Sequence, residues 1–209
     1  MANNFKQFLD ASQCAAYRDA IDAAIAESSV AMWRDDLDSD VRIYNAQRKL
    51  PVFQPLFDAM VAHHTEQRGE APGHALLMVN RVLPKDGNLG SGGGWHRDTW
   101  FNQNKVFVFF TDVDEANGPF EYVPGSGTLS AKLWDLVRHG RSLRIPDERV
   151  AKRPKRLLTI KEGQGTYFDT TLVHRGSPIR EGGRYAATLY AFNTKGEKLR
   201  KSRERFDAL

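Results

Sequence analysis

The chain has 209 residues, 41% of them hydrophobic and 27% charged, which is typical of a globular domain and excludes a disordered, collagen-like or coiled-coil chain. Its net charge of +4 is too small to indicate a nucleic-acid-binding protein. There is no apolar run of the roughly 20 residues that a membrane span needs, no visible signal peptide, and a single cysteine, Cys14. We therefore expect one cytoplasmic domain over residues 1–209, without a membrane span.

The first stretch, residues 1–70, carries helical patterns. Asp10 can cap a helix in which apolar residues recur every three or four positions from Cys14 to Ile25. A second pattern of this kind follows Pro51 and ends in a polar stretch closed by Gly69. We predict that this part of the chain is helical.

From residue 74 the pattern changes to short apolar segments separated by Gly and Pro turns, which predicts a sandwich or barrel rather than a βαβ fold. The predicted strands are residues 74–83, 105–111, 120–123, 165–168, 171–173 and 184–192. We expect residues 74–193 to form the core. Residues 129–156 are predicted to be a basic, helical and looped insert that folds over its mouth as a lid, and residues 195–209 a charged helical tail.

Three residues have the types and spacing of a metal site. His96 and Asp98 follow a glycine-rich loop and stand two residues apart, so that on an extended backbone both side chains point the same way. His174 ends an apolar strand much later in the chain. Two histidines and one carboxylate can occupy one face of an octahedral ion, which suits Fe(II) with a bidentate cosubstrate and O₂. The alternative is a loop ion pair beside a hydrogen-bonded histidine.

The position of one arginine favours a metal site over a loop ion pair beside a hydrogen-bonded histidine. Arg184 begins a strand ten residues after His174, and in a barrel this puts a guanidinium near the metal, able to bind a carboxylate bidentately. A cupin-like isomerase or hydrolase would use the same barrel without needing this clamp. A non-catalytic binding barrel is the other alternative.

Three ordered segments resemble the phytanoyl-CoA dioxygenase family: residues 94–98, residues 111–126, and residues 165–184. The resemblance covers roughly residues 74–193. It implies a mainly β protein with N-terminal helices and a double-stranded β-helix (jelly-roll) core. It also implies an Fe(II)- and 2-oxoglutarate-dependent dioxygenase that uses O₂, hydroxylates an unactivated C–H bond and releases succinate and CO₂.

The resemblance also implies roles for six residues. His96, Asp98 and His174 would be the iron ligands, and Arg184 would bind 2-oxoglutarate. Lys105 and Arg81, on the strands after and before the glycine-rich loop, would contact the cosubstrate or the substrate. For these last two cations, a place at the surface is the alternative.

The substrate is expected to be a small anionic molecule. Residues 129–161 contain ten Lys and Arg against three acids, an excess that can recruit negative charge to the mouth of the barrel. A solvated basic surface is the alternative. The resemblance points to a saccharide or another small metabolite, and demethylation of nucleic acid by the same chemistry is a less favoured alternative.

Overall fold

The computed structural model describes residues 5–90, 92–100, 103–192, and residues 197, 200, 201 and 204 of the tail. The strands are β1 (Phe5–Gln7), β2 (Trp33–Arg34), β3 (Asp40–Tyr44), β4 (His74–Val82), β5 (Asn104–Phe109), β6 (Phe120–Tyr122), β7 (Arg156–Leu158), β8 (Gln164–Asp169), β9 (His174–Gly176) and β10 (Arg184–Phe192). The helices are α1 (Ala11–Glu27), α2 (Ala46–Lys49), α3 (Gln54–Arg68), α4 (Leu129–His139) and α5 (Asp147–Val150).

These strands form two antiparallel sheets. The large sheet has the order β1-β8-β5-β10-β4-β3-β2 and the small sheet the order β7-β6-β9. Side chains from both sheets line one cavity between them, including Asn80 of the large sheet and His174 of the small one. This arrangement confirms the predicted mainly β jelly-roll core with N-terminal helices.

Side chains alternate across the large sheet, and this alternation separates the core from the site. Ile43, Val79 and Leu189 pack in one apolar cluster with Ile21 of α1 and Met60 of α3. Sequence neighbours such as Arg42, Asn80 and Thr188 face the cavity instead, because successive residues of a strand point to opposite faces. The helices therefore cover one face of the sheet and leave the other for polar chemistry.

The prediction that residues 1–70 are helical is only partly right. Helix α1 is capped as expected by Asp10, whose side chain accepts a hydrogen bond from the backbone of Gln13 in a capping box. Between α1 and α2, however, β3 joins the large sheet beside β4. Five residues of alternation are a weak signal next to two long helical patterns. The predicted strand at 171–173 is also shifted, since β9 begins at His174.

The insert between β6 and β7 is helical and looped, as predicted. Helix α4 turns Asp135 inward, where it is fully buried, and exposes Leu133, Trp134 and Val137. The helical tail predicted at 195–209 lies mostly outside the described residues. The four that are described are helical and exposed, with ion pairs between Arg200 and Glu204 and between Lys201 and Glu197. No described helix is both long enough and apolar enough to cross a membrane.

Candidate metal centre

Backbone pairing brings the three predicted ligands together. The N–H of His96 donates to the carbonyl of His174 at 2.9 Å, and the N–H of His174 donates back to the carbonyl of His96 at the same distance. The N–H of Asp98 donates to the carbonyl of Thr170 at 3.1 Å. The loop that carries His96 and Asp98 is thus an added edge to the small sheet, beside β9.

Glycines in the preceding loop permit this close approach. Gly90 and Gly92 both have positive φ angles, of 87° and 92°. A Cβ on Gly92 would lie 2.6 Å from the His96 ring, and one on Gly90 would lie 1.9 Å from the carbonyl oxygen of Gly176. Only glycine fits at these two positions. Ser91, between them, lies outside the described residues.

The ligand atoms converge and both imidazoles are oriented for binding. Asp98 Oδ1 lies 3.5 Å from His96 Nε2 and 3.8 Å from His174 Nε2. His96 Nδ1 is 2.9 Å from the carbonyl oxygen of Gly94, and His174 Nδ1 is 2.8 Å from that of Leu172. These carbonyls fix the proton on Nδ1 and leave each Nε2 lone pair facing Asp98.

The electrostatics keep His174 neutral and Asp98 ionised, the states that a cation requires. Burial lowers the pKa of His174 to about 3, so its imidazole is neutral at physiological pH. Burial alone would raise the pKa of Asp98, but the nearby charge of Lys105 holds it well below its usual range. The Lys105 Nζ lies 2.8 Å from Asp98 Oδ2.

Lys105 and Arg184 line the same cavity, of about 140 Å³, as the three ligands. Arg184 is buried and donates to the carbonyl of Gly118. Burial lowers its pKa to about 10, so it stays charged near neutrality. No carboxylate of the described residues forms an ion pair with it. Arg184 is therefore a buried cation facing a cavity, with room for an anionic ligand.

Arg81 is not brought to this cavity, contrary to the prediction that it contacts cosubstrate or substrate. It lies on the helix-facing side of β4, and its guanidinium forms an ion pair with Asp22 of α1 at 2.8 Å. The neighbouring residue Asn80 lines the cavity instead. The strand alternation explains the difference, because a shift of one residue moves a side chain to the other face.

Arg42 of β3 is the main cavity residue that sequence reasoning missed. Its Nε and Nη2 both donate to Oδ2 of Asp40, whose Oδ1 accepts from Asn80 at 3.2 Å. Tyr190 also lines the cavity, with its ring 4.0 Å from the Lys105 Nζ. The alternation of polar and apolar residues in β3 was the available signal.

A second chamber of about 560 Å³ adjoins the first and shares Arg42 and Gly92 with it. Its charged lining residues are Asp35, Asp36, Asp40, Arg42 and Arg144. Of the ten cations counted between residues 129 and 161, Arg144 is the one that lines this chamber. Its guanidinium donates to the carbonyls of Gly92 and Gly93 in the glycine-rich loop.

Residues 4–185 match the phytanoyl-CoA dioxygenase (PhyH) family, and the chain belongs to that family. No curated protein matches it. Among solved structures, the α-ketoglutarate-dependent epimerase SnoN from nogalamycin biosynthesis is similar, with a TM-score of 0.68 and 18% identity over 91% of this chain and 79% of SnoN. The carbocyclase SnoK from the same biosynthesis has a TM-score of 0.65 and 16% identity, over 95% and 86% of the two chains.

HygX from Streptomyces hygroscopicus, solved with nickel and 2-oxoglutarate bound, is also similar. Its TM-score is 0.64 and its identity 16%, over 95% of this chain and 90% of HygX. Other structures hold SnoN with Fe³⁺, α-ketoglutarate and nogalamycin RO, and HygX with nickel, 2-oxoglutarate and hygromycin B. At these identities, the likeness establishes a shared fold.

Proposed function

We propose that this family member is an Fe(II)- and 2-oxoglutarate-dependent dioxygenase that hydroxylates an unactivated C–H bond of a small molecule. The observation that carries the proposal is the convergence in one cavity of His96, Asp98, His174 and Arg184, a buried arginine with no carboxylate partner among the described residues. The first three supply a metal site, and the last supplies a site for the anionic cosubstrate.

The donor set fits Fe(II). All three ligand atoms lie within 4.8 Å of one another. Bonds of about 2.1 Å to one ion put neighbouring ligands about 3 Å apart, so the observed distances of 3.5 and 3.8 Å to Asp98 need only a small closure. Two imidazoles and one carboxylate leave three coordination positions for other molecules.

When bound, iron and 2-oxoglutarate supply the oxidising chemistry: O₂ converts 2-oxoglutarate to succinate and CO₂, and one oxygen atom is inserted into the substrate. The chain's own residues prepare that chemistry. The Gly94 and Leu172 carbonyls orient the two imidazoles, and Lys105 keeps Asp98 ionised. Phe107 and Phe120 line the same cavity and limit the access of water.

Arg184 would bind the distal carboxylate of 2-oxoglutarate. A guanidinium presents a planar pair of donors that matches a carboxylate, and burial strengthens the pair because it excludes competing water. Lys105 is the second cation in the cavity, and it balances the charge of Asp98 and of any carboxylate bound beside it.

The substrate would occupy the second chamber, next to the metal site. An anionic substrate would meet Arg42 and Arg144 there, and the polar lining suits a saccharide or a similar hydroxyl-rich metabolite. The three aspartates of this chamber limit the negative charge that it accepts. The reaction products should also be examined for epimerisation and ring closure, because the similar enzymes SnoN and SnoK are an epimerase and a carbocyclase.

The test is 2-oxoglutarate turnover, measured as succinate released with Fe(II) and O₂. We expect the wild type to form succinate, and Asp98→Ala to lose it together with metal binding, because the variant removes a ligand and its charge. Asp22→Ala, which removes an aspartate on α1 outside the cavity, is the matched control and should retain both. An Asp98→Ala protein with normal iron binding and turnover would refute the proposal.

A further inference from the structure

Arg97 stands between two proposed ligands but its side chain lies in the interior of the protein. It is 1% exposed, and one guanidinium nitrogen, Nη1, donates to the carbonyls of Ser126 and Thr171. The other, Nη2, forms an ion pair with Asp135 of α4. One side chain therefore bonds three separate segments of the chain.

Two of those segments hold His174 in place. Thr171 lies three residues before His174 in the turn that leads into β9. The side-chain oxygen of Ser126 accepts a hydrogen bond from the backbone of Val173 at 2.8 Å and donates to the carbonyl of Val123 at 2.7 Å. Arg97 thus joins the loop of His96 and Asp98 to the backbone that presents the third ligand.

The third segment is the basic insert. It contacts the loop that carries His96 and Asp98, called here the metal loop, directly. The backbone of Arg97 donates to the carbonyl of Leu143 at 2.9 Å, and Ile145 donates to the carbonyl of Trp95 at 3.0 Å. The metal loop therefore lies between β9 on one side and residues 143–145 of the insert on the other.

Asp135 anchors this arrangement from α4. It is fully buried and bonds Arg97 through Oδ2 and Arg153 through Oδ1, the latter at 2.5 Å. Burial alone would raise the pKa of Asp135, but the bonds from Arg153 and Arg97 lower it, so it is ionised. A buried carboxylate of this kind fixes the position of the guanidinium that it pairs with.

We propose that Arg97 and Asp135 are positioning residues of the metal site: their ion pair holds the loop of His96 and Asp98 in register with His174. The inference rests on the proposed metal function. The basic insert then has a specific role, because it supplies the carboxylate that sets the geometry of the ligands. A metal site needs its ligands held to within about 0.5 Å, so loss of this brace weakens binding without removing any ligand.

The experiment measures the dissociation constant for Co(II) and, anaerobically, for Fe(II), by calorimetric titration well below the melting temperature. We expect Asp135→Asn to raise both constants about tenfold to a hundredfold, the usual effect of removing a group that orients metal ligands. Leu56→Ala, a core variant on α3 outside the cavity, is the control for a general loss of stability and should leave both constants unchanged.

A double variant separates positioning from charge compensation. Arg97→Met/Asp135→Leu removes both buried charges, so it should melt above Asp135→Leu alone. We expect the double variant nevertheless to bind Co(II) as weakly as Asp135→Leu alone. Wild-type metal affinity in the double variant or in Asp135→Asn would overturn the proposal. Absence of metal binding in the wild type would instead overturn the proposed function, and this inference with it.

Discussion

Two buried arginines in this protein, Arg97 and Arg184, have opposite surroundings. Arg97 has a carboxylate partner, Asp135, and two backbone carbonyls around it. Arg184 has one carbonyl, from Gly118, and no ion-pair partner among the described residues. Burial lowers the pKa of both groups, so in each case the fold carries the cost of a desolvated charge.

The comparison distinguishes a structural charge from a binding charge. A buried ion whose partner comes from the same chain forms its ion pair when the protein folds. A buried ion that faces a cavity without a partner forms its ion pair with a ligand. Its desolvation cost is then offset only in the complex. On the proposed function, Arg97 would belong to the scaffold of the loop with His96 and Asp98, and Arg184 to the site for 2-oxoglutarate.

The largest expected effect comes from making Arg97 resemble Arg184. Asp135→Leu leaves Arg97 buried without a carboxylate, which costs about 3–5 kcal/mol of folding free energy and lowers the melting temperature by roughly 6–20 °C. Arg184→Met removes a charge that has no ion-pair partner in the described part of the chain, so its melting temperature should not fall. Thermal melting of the metal-free proteins checks both. Equal losses in the two variants would contradict the distinction.

Removing Arg184 should instead weaken the binding of 2-oxoglutarate. Arg184→Met should raise the KM for 2-oxoglutarate roughly thirtyfold or more, because truncating one partner of a buried charge pair costs about 2–5 kcal/mol. Metal affinity should be retained. The KM of Arg184→Lys should lie between those of the wild type and Arg184→Met, since an ammonium keeps the charge but cannot bind a carboxylate bidentately. An unchanged KM in Arg184→Met would remove Arg184 as the clamp and leave Lys105 as the next candidate.

A smaller effect is expected from the buried imidazole of His174. The unfolded chain binds a proton here near pH 6.5, whereas burial lowers the folded pKa to about 3. Stability present above pH 6.5 is therefore lost as the pH falls, by about 2 kcal/mol between pH 7 and pH 5. His63 and His64 act with the same sign, because burial lowers their pKa values too.

The measurement is urea unfolding of the metal-free protein across this pH range. His174→Asn should lose its share of the pH dependence, about 2 kcal/mol, whatever its stability at pH 7. A variant with the full wild-type pH dependence would show that the folded state protonates His174 as easily as the unfolded chain does.

The smallest expected effect concerns recruitment of an anionic substrate by the insert. Arg153 is held by Asp135, so the exposed cations Arg138 and Arg141 are better candidates for long-range attraction. Arg138→Glu/Arg141→Glu should lower kcat/KM by about threefold at low salt, and moderate salt should reduce the difference, since exposed charges are screened. The control Lys6→Glu/Arg68→Glu changes the charge equally elsewhere. Equal effects of the two variants, or no salt dependence, would contradict recruitment.

The sequence predicted the convergence of His96, Asp98 and His174 better than the residues that surround them. Local spacing was enough to pair His96 with Asp98, which are two residues apart, and the family resemblance added the distant His174. The face on which Arg81 lies was not predictable in this way, because β4 is buried on both sides and its apolar residues show no phase. One residue of register separates Arg81 from Asn80, which lines the cavity.

The other residues that were missed, Arg42 and Asp135, reach the site through contacts between distant parts of the chain. Arg42 comes from a five-residue strand inside a mainly helical segment, and only the order of strands in the large sheet brings it to the cavity. Asp135 was counted as one acid in a basic segment. Its burial against Arg97 depends on how the insert folds back onto the metal loop, which no local pattern specifies.

We expect one cavity to bind a metal through His96, Asp98 and His174 and then 2-oxoglutarate through Arg184. Anaerobic titration of the Fe(II)-loaded protein with 2-oxoglutarate, followed by the visible charge-transfer absorption of their complex, tests it directly. We expect a saturable band in the wild type, no band in Asp98→Ala, and saturation of Arg184→Met only at roughly thirtyfold higher 2-oxoglutarate. A wild type that forms no such complex, or an Asp98→Ala protein that forms it equally well, would contradict the account.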